Sequence, residues 1–185
     1  MRRGFKAEAE RLAERTRASM GLRPRDRLDI RDLASHLKVE VIPADHLVDR
    51  SRLEELERLQ PGAFSAATFQ LPQGRTVAVY NPCSDPPRTN SDIAHELAHI
   101  LLDHEIREIH QLAGHTFFTC DPEQEEEANW LAGCLLLPRP LLLGEARAGT
   151  DPDALAARYQ VSTQMARFRL NTSGVLLQAR RAHTG

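Results

Sequence analysis

The sequence has no long apolar run, no CxxC pair and almost no net charge, and each absence narrows what the chain can be. No stretch approaches the roughly 18 apolar residues of a membrane-spanning helix. The start, MRRGFKAEAERL, carries charge with no apolar segment behind it, so neither insertion nor secretion is expected. Cys83, Cys120 and Cys134 are odd in number and widely spaced, which fits reduced thiols in a cytoplasm rather than a disulfide framework. Repeats and low-complexity tracts are missing as well. The net charge of −2, from 24 Lys and Arg against 26 Asp and Glu, argues against a strongly basic nucleic-acid binder. With 185 residues, 41% of them hydrophobic, the chain can bury its own core as one domain with at most a small appendage.

The small net charge hides segregation. Residues 1–31 carry ten basic and five acidic groups, residues 32–145 carry eight and nineteen, and residues 146–185 carry six and two. Histidine is concentrated too: His95, His99, His104, His110 and His115 are five of the eight in the chain. Chemistry is therefore sought in the acidic, histidine-rich centre.

Periodicity predicts an amphipathic helix from Phe5 to Met20 ending at Gly21, and a short one capped by Asp29 with Ile30, Leu33 and Leu37 inside. Val39–Pro43 alternates like a strand, and Arg52 to Leu59 reads as a further helical turn or two. Ala63 to Gln70 and Arg75 to Tyr80 are β-leaning runs joined by Leu71-Pro72-Gln73-Gly74, a hairpin loop. Three prolines make Asn81 to Arg88 a predicted loop, after which Asn90 or Ser91 caps a helix through about Asp103. Asp121-Pro122-Glu123-Gln124 combines an N-cap, a first-turn proline and a capping-box Gln, opening a helix that Pro138 ends. Thr150 or Asp151 opens another helix to about Tyr159, and Ser162 or Thr163 one more to about Leu170.

His95-Glu96-Leu97-Ala98-His99 is an HExxH sequence on one of these helices. Residues four apart lie about one turn from each other, so both imidazoles project from one face and can grip one zinc ion. Glu96 is rotated about 100° from His95, too far to be a third ligand but able to reach the attacking water. Zinc brings the pKa of water toward neutrality, and a carboxylate so placed can take the proton and deliver it to a leaving amine. That is amide hydrolysis. A five-residue motif also arises by chance, so a third ligand must support it.

The HExxHxxGxxH pattern is ruled out, because Leu102 and Glu105 stand where its Gly and third His would fall. A glutamate from the later helix is the other solution, and Glu125, Glu126 and Glu127 are available. The buried face of that helix is expected to centre on Ala128, with Leu131, Ala132 and Leu135. Glu125 is about 60° from that centre, Glu127 about 100° and Glu126 about 160°, which favours Glu125. Glu126 and Glu127 are then assigned to a solvated face near a helix N-terminus, where acids suit the dipole. Ala128 and Ala132 are small enough to let the two helices approach closely. Asn129, one turn after Glu125, can accept the free N–H of a ligating histidine.

HELAHILLDH followed by EEEANWLAGCLLLP resembles the ImmA/IrrE metallopeptidases, the M78 group of gluzincin-like zinc enzymes found in bacteria and their mobile elements. The resemblance extends to DLASHLKVEVI, AFSAATF, TVAVYNP, Arg88 and the closing LAARYQVSTQMARFRL, with separate DNA-binding and sensor domains missing. It implies zinc on His95, His99 and Glu125, Glu96 as catalytic acid/base, and a helix-turn-helix transcriptional repressor as the protein substrate, cut to release stress-response or mobile-element genes. An α+β, mostly helical fold is expected: a zincin-like metallopeptidase domain with a small antiparallel sheet over residues 1–140, and a helix-turn-helix-like helical subdomain over 141–185 packed on it.

Arg75–Tyr80 is a candidate edge strand for a substrate peptide to extend, with an ordinary interior strand as the equal alternative. Asp153 to Leu170 has helix-turn-helix spacing and the tail is basic, but Met165, Phe168 and Leu170 read as packing positions, so direct nucleic-acid binding is not expected. His104, His110 and His115 are assigned no role, and Cys120 and Cys134 are read as inert thiols. Two other readings stay open: a noncatalytic partner-binding protein with structural zinc, and a DNA-binding regulator that uses the basic ends.

Overall fold

A computed structural model describes residues 1–104, 109–112, 115–118 and 121–182. Nine α-helices and five strands lie among the described residues, an α+β and mostly helical fold. Helix α1 (Phe5–Ser19) precedes α2 (Ile30–His36) and strand β1 (Val39–Pro43). Then come α3 (Arg50–Leu59) and the hairpin of β2 (Ala66–Leu71) and β3 (Arg75–Tyr80). Asp29 caps α2 by accepting from the Arg31 N–H at 2.8 Å, as its sequence context predicts.

The sheet is mixed rather than antiparallel. Strand β3 runs antiparallel to β2 but parallel to β1, so it is the central strand, the interior one of the two positions the sequence left open for it. The reason is apolar content: Val77, Ala78 and Val79 are buried in succession, as a strand covered on both faces requires. Ala78 faces the main core, whereas Val77 and Val79 join Ala44 and Leu53 in a smaller one on the α3 side. Thr68 lies opposite Ala78 in the register and so faces the main core.

Helix α4 (Pro86–Leu101) starts inside the predicted loop. Asp85 caps it by accepting from the Arg88 N–H at 2.8 Å. Pro86 and Pro87 occupy the first turn, where a missing N–H leaves no bond unmade. Asn90 and Ser91, expected as caps, lie in the second turn and reach the C-terminal helices instead. Asn90 Nδ2 donates to the Gln160 carbonyl at 3.0 Å, and Ser91 Oγ accepts from the Ser162 N–H at 2.9 Å. A short hairpin, β4 (Ile109–Leu112) with β5 (His115–Phe118), follows; it has no counterpart in the sequence expectations.

Helix α5 (Pro122–Leu136) is the axis of the molecule. Every residue from Trp130 to Leu136 is buried, so its C-terminal half is covered on all sides. It packs against α1 and α4, and α6 (Arg139–Arg147), α7 (Pro152–Tyr159), α8 (Thr163–Thr172) and α9 (Val175–Arg181) complete the chain. One apolar core holds Phe5, Leu33, Leu97, Leu131, Leu142 and Leu155, so it continues across residue 140. Met165 and Leu170 are buried in it, and Phe168 packs edge-on against Trp130 at 5.5 Å. No helix among the described residues is long and apolar enough to cross a membrane.

The buried C-terminal end of α5 presents carbonyls that water cannot reach, and two arginines satisfy them. Arg17 Nη1 donates to the Leu135 carbonyl at 2.6 Å. Arg169, fully buried, donates to the Leu137 carbonyl from Nε at 3.2 Å and Nη2 at 3.1 Å, and to Glu10 at 2.7 Å. Cations there also complement the negative end of the helix dipole. Gly133 makes room for this guanidinium arm: a Cβ would sit 2.4 Å from Arg169 Cδ. Helix propensity alone favours Gly133→Ala by about 1 kcal/mol. Because Arg169 is tethered at its far end, overpacking of about 1–3 kcal/mol is expected to outweigh that gain. Urea denaturation should therefore show a lower midpoint for Gly133→Ala than for the parent protein.

Candidate metal centre

Helix α4 carries His95 and His99 one turn apart, and α5 lies against it with Glu125 and Asn129, also one turn apart. His95 Nε2 is 3.0 Å from His99 Nε2 and 3.1 Å from Glu125 Oε2, and His99 Nε2 is 3.5 Å from Glu125 Oε1. Donor atoms at about 2.0–2.1 Å from one tetrahedral zinc ion lie about 3.3 Å from each other. The separation of the two imidazole nitrogens and the approach of one or other Glu125 oxygen to each are close to that value, and the donor set of two imidazoles and a carboxylate suits zinc, so these residues fit a metal ion. Their side chains are 17%, 15% and 28% exposed, which leaves the group reachable from solvent.

Sequence reasoning favoured Glu125 of the three consecutive acids, and in the structure it is the one beside both histidines. Glu126 points outward, 57% exposed, and pairs with the Met1 amine at 3.0 Å. Glu127 departs from the solvated role expected for it. It is buried, and its Oε1 accepts from the Arg2 backbone N–H at 3.2 Å. The apolar arc of α5 is simply wider than a stripe centred on Ala128.

Asn129 Oδ1 lies 3.1 Å from His95 Nδ1. An amide oxygen only accepts, so His95 donates from Nδ1, which leaves Nε2, the nitrogen beside Glu125, as the atom that would bind a metal. Glu96 is buried beside this group, with Oε2 accepting from the Thr68 hydroxyl at 2.8 Å. Its carboxylate is therefore held at the sheet side and not among the three donors. Asp92, one turn earlier on α4, has Arg88 Nε at 3.7 Å; burial raises its pKa, and that guanidinium only partly offsets the rise.

Thr68 was missed by sequence reasoning because only the β2–β3 register turns it toward α4, and no local pattern encodes that. His104 was assigned no role, yet its Nδ1 is 2.9 Å from His99 Nδ1. Burial lowers its pKa, with Glu127 opposing, and so favours the neutral ring. Its position in HILLDH, five residues after His99, was the available clue. The side chains of His110 and His115, and all of Cys120, lie outside the described residues. Cys134 is buried, and loss of solvation pushes its thiol pKa up, away from reactivity.

A family model described as Peptidase M78, the IrrE N-terminal-like domain, matches residues 25–171. No curated protein and no solved structure matches the chain. The match runs from before α2 to the penultimate residue of α8 and contains all the residues of the metal centre, while α1 lies outside it although Phe5, Ala9 and Ala13 are core residues. On the length of that match, the chain belongs to the M78 peptidase family.

Proposed function

We propose that this protein is a zinc-dependent endopeptidase and that its substrate is a helix-turn-helix transcriptional repressor, whose cleavage relieves repression of stress-response or mobile-element genes. The observation that carries the reading is the split between two carboxylates: Glu125 stands with the histidine pair, and Glu96 is held aside by Thr68. Three protein donors among the described residues leave one position of a tetrahedral ion open, as catalytic zinc sites do and closed structural sites do not. Zinc bound there would polarise the scissile carbonyl and acidify water. Glu96 would take the proton of the attacking water and pass it to the leaving amine, so that hydrolysis ends with a free carboxylate and a free amine.

A substrate strand would dock on β2. With β3 central, the outer edge of β2 pairs with no further strand among the described residues, and Thr68 ties β2 to Glu96. A peptide added to β2 as a further strand would pass the general base, with main-chain bonds providing affinity. The acidic centre would attract a basic repressor through longer-range charge. The repressor as substrate is what the family resemblance implies. The zinc-loaded protein incubated with a small helix-turn-helix repressor encoded beside it should yield two discrete fragments. Chelation should stop the reaction and added zinc restore it. An intact repressor in the presence of the loaded protein would remove this substrate.

A further inference from the structure

We propose that His104 and Glu127 are positioning residues that orient His99 and strengthen its hold on the metal, an inference that rests on the zinc reading above. The two histidines on α4 have different outer partners. His95 is bonded to an amide, Asn129, whereas His99 is backed by an imidazole and then a carboxylate.

Proton bookkeeping gives this second arrangement a direction. His99 turns Nε2 toward His95 and Glu125, so with a metal held there it would offer the Nε2 lone pair and keep its proton on Nδ1. That N–H would donate to His104 Nδ1, 2.9 Å away. His104 must then carry its own proton on Nε2, which faces Glu127 Oε2 at 3.8 Å. The other oxygen of Glu127 accepts from the Arg2 backbone N–H at 3.2 Å and has Arg2 Nε at 3.5 Å.

The His104 and Glu127 side chains are only 8% and 10% exposed. A carboxylate taken out of water is costly unless its charge is used, and here it faces the polar end of a histidine that reaches the donor group. Negative charge behind a ligating imidazole raises its basicity and locks its ring, the device that metal sites use in carboxylate–histidine pairs. Helix α5 thereby supplies the third donor, Glu125, together with the outer partners of both histidines: Asn129 directly and Glu127 through His104.

The test uses the full chain and zinc competition against a chromophoric chelator. His104→Ala is expected to bind zinc about 10- to 100-fold more weakly than the parent. Glu127→Gln should weaken it in the same direction but less. His104→Asn places an amide oxygen near the former Nδ1 and should recover most of the affinity, which a merely space-filling role would not predict. Cobalt substitution should show a shifted visible spectrum for His104→Ala. Nitrogen-15 spectra of the zinc-loaded parent should report the His104 proton on Nε2. If His104→Ala does not fold, Glu127→Gln and the His104 tautomer decide. Parental affinity in both His104→Ala and Glu127→Gln, an Asn variant as weak as Ala, or a His104 proton on Nδ1 would overturn the relay alone. A parent protein that binds no zinc would overturn the metal reading with it.

Discussion

Glu96→Gln is expected to keep the metal and lower peptide hydrolysis by about 10²–10⁴-fold, the range for loss of a general base. The substitution preserves shape, and the amide oxygen can still accept from Thr68, so the fold and the three donors are left in place. What disappears is the ability to accept a proton from water. The loss should fall on kcat with KM near the parental value, because Glu96 is buried beside the donors rather than along the outer edge of β2. Thr68→Val removes only the hydroxyl that holds Glu96 and should lose about tenfold, within the range expected of one hydrogen bond to a charged group. Metal content by atomic emission together with steady-state cleavage checks both variants. Undiminished cleavage by Glu96→Gln with zinc bound would place the base elsewhere.

Glu125→Ala should lose the metal, whereas Glu126→Ala should retain it. The Glu125 carboxylate places Oε2 3.1 Å from His95 Nε2 and Oε1 3.5 Å from His99 Nε2, and Glu126 is an exposed residue paired with the chain's amine. Removing a first ligand is expected to weaken zinc by well over about 100-fold, beyond the range of an outer partner. Unfolding provides a second readout. A ligand present at about 1,000 times its Kd stabilises the native state by ~4 kcal/mol. Zinc should therefore raise the unfolding temperature of the parent and of Glu126→Ala, and leave that of Glu125→Ala almost unchanged. Equal metal content in Glu125→Ala and the parent would rule Glu125 out as a ligand.

The hydrophobic face of α5 shows how far periodicity reaches. Measured from Ala128, it separates Glu125 from Glu126, since the former is on the shoulder of the buried arc and the latter opposite it. It fails for Glu127, because the helix is enclosed by α1, α4 and α8 and buries residues well off the stripe. Helix starts behave similarly. Asp121-Pro122 and Asp151-Pro152 are legible as cap and first turn, while Asp85-Pro86 carries the same signature but is masked by the following Pro87 and the preceding loop residues.

The sequence by itself determined the local half of this site. His95, Glu96 and His99 have their relative directions set by 3.6 residues per turn, and Glu125 and Asn129 share one face of their helix for the same reason. The tertiary structure decided everything that depends on one element meeting another. It made β3 central and β2 an edge strand, turned Thr68 onto Glu96, and placed His104 and Glu127 behind His99. Dihedral preferences act over a turn of helix or a pair of strand residues. Contacts across 28 residues, as between Thr68 and Glu96, exist only once packing has chosen the register.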